Sequence, residues 1–338
     1  MVRQQVEQLL SLMKERDIDV YIVPSEDFHQ SEYVGEYFKA RAFISGFTGS
    51  AGTVVATADE VCLWTDGRYF LQATDQLKDS GICLQKMGEP GVPTVTEYIK
   101  THLPKGGTLG FDGRTISVSD GAEYEAIAEE KEASITYNMD LVGEFWEGRP
   151  PLSEKKAFKL SEDITGESAK SKLERIRKVM KEKGTDTHIV ASLDDVCWIL
   201  NIRGDDILFS PIVLSYAVIT MDDMVLFIDE AKLDDDMKEE FKELNISIRP
   251  YNAIYEDVKD LKDRSILIDP SKMNYALYEN IPAENHVVEA ANPSIIMKAV
   301  KNETELKNMA IAHVKDGVAW TKFMYWLKKN IGKEEITE

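Results

Sequence analysis

The sequence predicts an α/β protein with two tandem homologous domains, each a mixed β-sheet flanked by helices, followed by one long C-terminal helix. Three observations carry this prediction. Residues 13–27, MKERDIDVYIVPSED, return as residues 180–194, MKEKGTDTHIVASLD, with eight of fifteen positions identical and no gap. FISGFTG (43–49) recurs as WILNIRG (198–204), VVATADEVCLWTD (54–66) as AVITMDDMVLFID (217–229), and GFDGR (110–114) as LIDPS (267–271). The offset moves from 167 to 155 to 163, so insertions separate shared elements, and the repeat is far longer than a solenoid period. Finally, short β-branched runs alternate with helix-forming segments in both copies, the pattern of a sheet with parallel pairs and helices on its faces.

Each element follows from its local pattern. Val6, Leu9, Leu10 and Met13 stand at helical spacing, and polar DID leads into the strand VYIVP. The aromatic-rich stretch from Phe28 to Phe47 has no clean period and reads as short helical pieces and loop. Two β-branched runs around ADE make a hairpin. Helix YFLQATDQLKD, strand ICLQKM, helix TVTEYIKTHL, strand TLGFD, helix GAEYEAIAEEKE and strand SITYN complete the first domain, residues 1–150. Residues 151–170 are polar, begin where Pro150 and Pro151 break structure, and read as a linker. Residues 171–301 repeat the order of elements. Asn302 with Glu305 three residues on is an N-terminal cap pairing, and apolar residues at helical spacing from Leu306 to Leu327 predict a long helix within residues 302–338. Trp320, Phe323, Met324, Tyr325, Trp326 and Leu327 crowd more than one face of its last turns, so this helix requires a core on a further side.

Composition narrows the function. A chain of 338 residues fits about two domains. Its net charge of −20 argues against nucleic acid and against anionic membrane as partners, because both demand clustered Lys and Arg. Cys62, Cys83 and Cys197 are odd in number and set among apolar residues, which predicts buried free thiols and a reducing compartment. The start carries acids inside its apolar pattern and no cleavage site, and no run approaches the roughly 18 apolar residues of a membrane span, so a cytoplasmic location is expected.

No complete catalytic constellation is legible. His29, His102, His188, His286 and His313 share no metal-ligand spacing, and there is no CxxC, GxSxG or P-loop. Asp194, Asp195, Asp205, Asp206 and Asp234–Asp236 fall at predicted helix starts and turns, where Asp caps free N–H groups or is solvated. Neither catalytic nor metal-binding residues are expected in this chain. One motif stands out, TDGRYF at 65–70. Held at a strand end by aromatic neighbours, Arg68 is a candidate substrate-binding residue that offers a guanidinium fork to a peptide carbonyl or carboxylate.

These stretches carry a family resemblance. HQSEY, GFTGSAG and WTDGRYFLQA resemble the first domain of the three-domain Xaa-Pro aminopeptidases of the creatinase and prolidase superfamily; NIRG resembles their second domain, and KAVKNE with HVKDG the first helix of their pita-bread metallopeptidase domain. The resemblance implies an enzyme that releases the N-terminal residue of peptides with proline in second position. It also implies a homodimer and two divalent metal ions, commonly manganese, held by two Asp, one His and two Glu of the catalytic domain. None of those ligands has a match here, so no cofactor is expected within this chain. Arg68 matches the arginine of the WTDGRY motif, which the resemblance associates with peptide binding. The alternative is a non-catalytic peptide- or protein-binding module on a creatinase-like fold.

Overall fold

The structure, a computed structural model, describes residues 2–336. The first half runs α1 (Val2–Glu15), β1 (Val20–Val23), α2 (Ala40–Ser45), β2 (Thr53–Thr57), β3 (Val61–Thr65), α3 (Phe70–Gln76) and β4 (Ile82–Lys86). It continues with α4 (Val95–His102), β5 (Thr108–Phe111), α5 (Val118–Glu130), β6 (Ser134–Thr136) and α6 (Leu141–Phe145). Between the halves lie β7 (Phe158–Lys159) and α7 (Glu162–Thr165). The second half opens α8 (Ala169–Glu182), β8 (Thr187–Val190), α9 (Leu193–Leu200), β9 (Ile202–Arg203), β10 (Ser215–Thr220) and β11 (Met224–Ile228). After α10 (Asp235–Glu243), β12 (Ile246–Arg249), α11 (Ile254–Asp257), β13 (Ser265–Ile268), α12 (Tyr275–Glu279) and β14 (His286–Glu289), it closes with α13 (Pro293–Ala299) and α14 (Glu303–Asn330).

The duplication is written in the sheets. The strand orders are β4-β3-β2-β1-β5-β6 and β12-β11-β10-β8-β13-β14, one the counterpart of the other strand for strand. In each, the first strand pairs antiparallel with the hairpin on one side and parallel with a crossover strand on the other. The central strands β1 and β8 are buried at every residue, which is why they read as apolar runs rather than as alternation. Helices cover both faces: Val6, Leu9 and Met13 of α1 pack on one side of the first sheet, and Tyr98, Ile99, Tyr124 and Ile127 of α4 and α5 on the other.

Three expectations require correction. Residues 151–170 are not merely a polar tether: β7 pairs with β9, and Ala157 and Thr165 are buried. Asp195 and Asp206 are neither solvated nor caps. Asp195 is buried and accepts from Asn292 at 2.9 Å and Lys298 at 3.0 Å, while Asp206 is buried with Lys232 at 2.5 Å and accepts from the Leu214 amide at 2.7 Å. Asp234 does cap, accepting from the Met237 amide at 2.8 Å. Lastly, Cys62 and Cys83 are joined as a disulfide, and only Cys197 is a free, buried thiol. Separated by 21 positions in the chain, Cys62 and Cys83 become neighbours because β3 and β4 pair parallel with these two residues opposite each other.

Candidate functional site

At the carboxyl end of β3 the chain turns through Asp66-Gly67-Arg68. The turn is self-contained: the Asp66 carboxylate accepts from the Arg68 amide at 3.0 Å, from its Nε at 2.9 Å and from its Nη2 at 2.8 Å. These hydrogen bonds hold the Asp66 carboxyl down at about 2. The guanidinium lies 5.2 Å over the Tyr69 ring, whose hydroxyl is 2.7 Å from Ser50 Oγ. The arginine side chain remains 68% exposed, so it keeps unused donors for a ligand.

The GFTGS loop that flanks this turn is fixed from beneath. Arg41, buried on α2, donates to the carbonyls of Phe47 and Gly49 and, at 2.9 Å, to Ser25 Oγ, which in turn donates to Gly52 O at 2.7 Å. Burial lowers the Arg41 guanidinium to about 10, and its carbonyl partners replace the water it has lost. Thr65 Oγ1 donates to Ala51 O at 2.7 Å, tying the loop to β3. Arg68 therefore stands on a braced loop at the carboxyl edge of the first sheet, the edge where α/β folds place their ligands.

Arg68 faces a polar cleft of about 450 Å³ that also holds Glu26, Glu32, Tyr33, Asp66 and Lys272. Lys272 comes from the second half, and its Nζ donates to Gln30 O at 3.3 Å, so the cleft is closed by both halves. Burial, with Asp27 and Asp120 adding repulsion, pushes the Glu26 carboxyl up to about 7, and Lys272 opposes the shift. The arrangement offers two cations for a carboxylate or carbonyl and one carboxyl that changes charge near neutrality. It contains no nucleophile paired with a base.

The histidines do not join it. His29 is buried between the halves, Nδ1 at 2.7 Å from Ala191 O and Nε2 at 2.6 Å from Tyr251 Oη. His188 is buried in β8 against Leu267 O, His102 closes α4 on Tyr98 O, His286 opens β14, and His313 lies exposed on α14. Among the described residues, the one group of three His, Cys, Asp or Glu side chains close enough to share an ion is Glu60, Cys62 and Cys83. Two sulfurs and one carboxylate do not fit a pair of hard, oxygen-loving divalent ions. Sequence reasoning singled out Arg68, which lines this cleft, but not Glu26 or Lys272, which line it too. The one available signal was the acidic Ser25-Glu26-Asp27 at the carboxyl end of the first strand.

Residues 5–140 and 148–305 each match a family model described as the creatinase/prolidase N-terminal domain. The chain belongs to the creatinase/prolidase family, and it carries that domain twice. Within the family its relatives are Xaa-Pro aminopeptidases. It is 38% identical to Xaa-Pro aminopeptidase 1 of Dictyostelium discoideum, over 98% of this chain and 54% of the relative. It is 36% identical to aminopeptidase P2 of Arabidopsis thaliana, over 95% of this chain and 50% of the relative. The fold matches an X-prolyl aminopeptidase of Caenorhabditis elegans, described as a cytosolic enzyme with a di-nuclear active site, with a TM-score of 0.92 and 32% identity over 98% of this chain and 56% of that one. The chain spans about half the length of the curated relatives it matches.

Proposed function

We propose that this chain is the N-terminal, non-catalytic part of a metal-dependent Xaa-Pro aminopeptidase that releases the first residue of peptides with proline second. The observation that carries the reading is the braced, exposed Arg68 in a two-sided cleft, in a chain that aligns over 98% of its own length with 54% of such an enzyme. An X-Pro amide has no N–H for an enzyme to read, so recognition falls on carbonyls, termini and shape. Arg68 supplies a fork for a carbonyl or carboxylate, and Lys272 a second positive charge. Two divalent ions, manganese among the candidates, would supply a polarised carbonyl and an activated water, on ligands outside this chain. We assign residues 1–150 and 171–301 to substrate access, 151–170 to their connection and 302–338 to the first helix of the metallopeptidase domain. A homodimer and a cytoplasmic location complete the reading; no described helix is long and apolar enough to cross a membrane.

The test is hydrolysis of X-Pro peptides beside X-Ala controls, with manganese present. A longer protein containing this chain is expected to release the first residue from X-Pro peptides only, and this chain alone to release none. Turnover by the chain alone defeats the non-catalytic assignment. In the longer protein, Arg68→Ala is expected to lower kcat/KM by about tenfold. Its melting temperature should hardly move, because the arginine's partners are the adjacent, half-buried Asp66 and Tyr69 of its own surface turn. Unchanged kinetics reduces Arg68 to a local turn residue.

A further inference from the structure

Away from the Arg68 cleft, Glu60, Cys62 and Cys83 converge, their ligand atoms all within 4.8 Å of one another. The two cysteines face each other across β3 and β4, with Cα atoms 4.5 Å apart, and β4 is the edge strand of its sheet. Their exposures differ: Cys62 is wholly buried, while Cys83 is reached by solvent. Tyr98 Oη lies 4.0 Å from Cys62 Sγ and donates at 2.7 Å to Oε1 of Glu60, which is exposed. With the sulfurs bonded to each other no thiolate is free for a metal ion, so thiol chemistry rather than metal binding is the use this cluster fits.

We propose that Cys62 and Cys83 form a reversible thiol–disulfide exchange site that takes a small thiol such as glutathione at Cys83. The external thiolate attacks the Sγ of Cys83, the partly exposed partner, beside the Gln85 amide 3.7 Å away; the sulfur–sulfur bond breaks, and its electron pair leaves on Cys62 Sγ. The leaving Cys62 thiolate takes its proton from solvent. A second external thiolate then attacks the outer sulfur of the mixed disulfide and frees Cys83. Two external thiols are oxidised to one disulfide and the protein gains two thiols; an external disulfide drives the reverse. In the cytoplasmic setting proposed above, a solvent-reachable disulfide is of the transient rather than the structural kind. The proposal stands on the cysteine geometry and takes only the cytoplasmic location from the reading above, so failure of the Xaa-Pro specificity leaves it intact.

The experiment is alkylation under denaturing conditions with mass readout, on the whole chain equilibrated while folded in glutathione buffers of graded redox ratio. Oxidising buffers should leave one alkylated thiol, Cys197, whose burial pushes it up to about 12 and keeps it inert in the folded state. Reducing buffers should give three, with a mixed disulfide confined to Cys83 between the limits. Three alkylated thiols at every ratio, or one at every ratio, overturns the proposal.

Discussion

Asp66 and Arg68 grip one another through three hydrogen bonds, and Asp112 and Arg114 repeat those bonds at 3.0, 2.9 and 2.8 Å. The Asp-Gly-Arg turn is therefore a local solution for ending a strand and carries no function by itself. Surroundings separate the two copies: Arg114 lies 4.5 Å over the Phe28 ring with its side chain 34% exposed, whereas Arg68 opens on the cleft. The motif made Arg68 legible in the sequence. Glu26 was not, because its character comes from burial beside Asp27, Asp120 and Lys272, and Lys272 lies in the other half of the chain. Its carboxyl rises from 4.5 to about 7 on folding, so the folded chain holds the extra proton across that window. Stability contributed by the protonated form is present below the lower value and is lost as pH climbs through the upper one. Glu26→Gln keeps the shape without the charge and should raise the melting temperature at about pH 8 by about 3 °C, with little change near the low end of the window. Thermal scans of both proteins across pH check this, and parallel curves would show that Glu26 is not held above its ordinary range.

Periodicity succeeded where an element is long. The Asn302–Glu305 pairing is realised as a capping box, with Asn302 Oδ1 accepting from the Glu305 amide at 2.9 Å and Glu305 Oε2 accepting from the Asn302 amide at 3.0 Å. It failed for α6, α7 and α13, of five, four and seven residues, which are too short to show a period and are fixed by what they dock against. Among them α7 matters most, because Asn302 Nδ2 donates to Thr165 O and Asn308 Nδ2 to Ile164 O, anchoring the start of α14. Beyond that anchor no residue of α14 is buried, and Trp320, Phe323 and Trp326 are 62%, 46% and 43% exposed. A helix without tertiary contacts is marginal in water. Hydrogen exchange on this chain should therefore show the amides of residues 318–330 opening orders of magnitude faster than those of β8 and β10. In a longer protein that covers this face they should become protected. Equal protection in the chain alone would mean that the apolar face is already covered by a second copy.

At the scale of the molecule the two copies are not beads on a string. Phe28 and Phe38 of the first half sit in the core of the second, and Tyr275 of the second sits in a core of the first. Backbone bonds stitch the join: the Val118 amide donates to Met273 O at 3.0 Å, Tyr275 to Ile116 O at 2.8 Å and Ala276 to Gly113 O at 2.9 Å. Repetition in the sequence announced two units but not this join, whose partners are far apart in the chain. Gly121, inside α5, shows what the join demands. A Cβ there would lie 2.8 Å from Tyr275 Cε2 and closer still to Cδ2, and Tyr275 cannot swing away because it is buried and its hydroxyl donates to Glu125 at 2.6 Å. Helix propensity alone favours Gly121→Ala by about 1 kcal/mol. Overpacking against the ring costs about 1–3 kcal/mol and should win, so the variant is expected to unfold at lower urea. Adding Tyr275→Leu vacates the space, and the cycle of single and double variants should show a coupling of about 1 kcal/mol or more. The transition should stay single throughout, because neither half keeps a closed core without the other. A harmless Gly121→Ala, or two separate transitions in the wild-type chain, would mean that the halves fold independently and that the cleft between Arg68 and Lys272 has no fixed width.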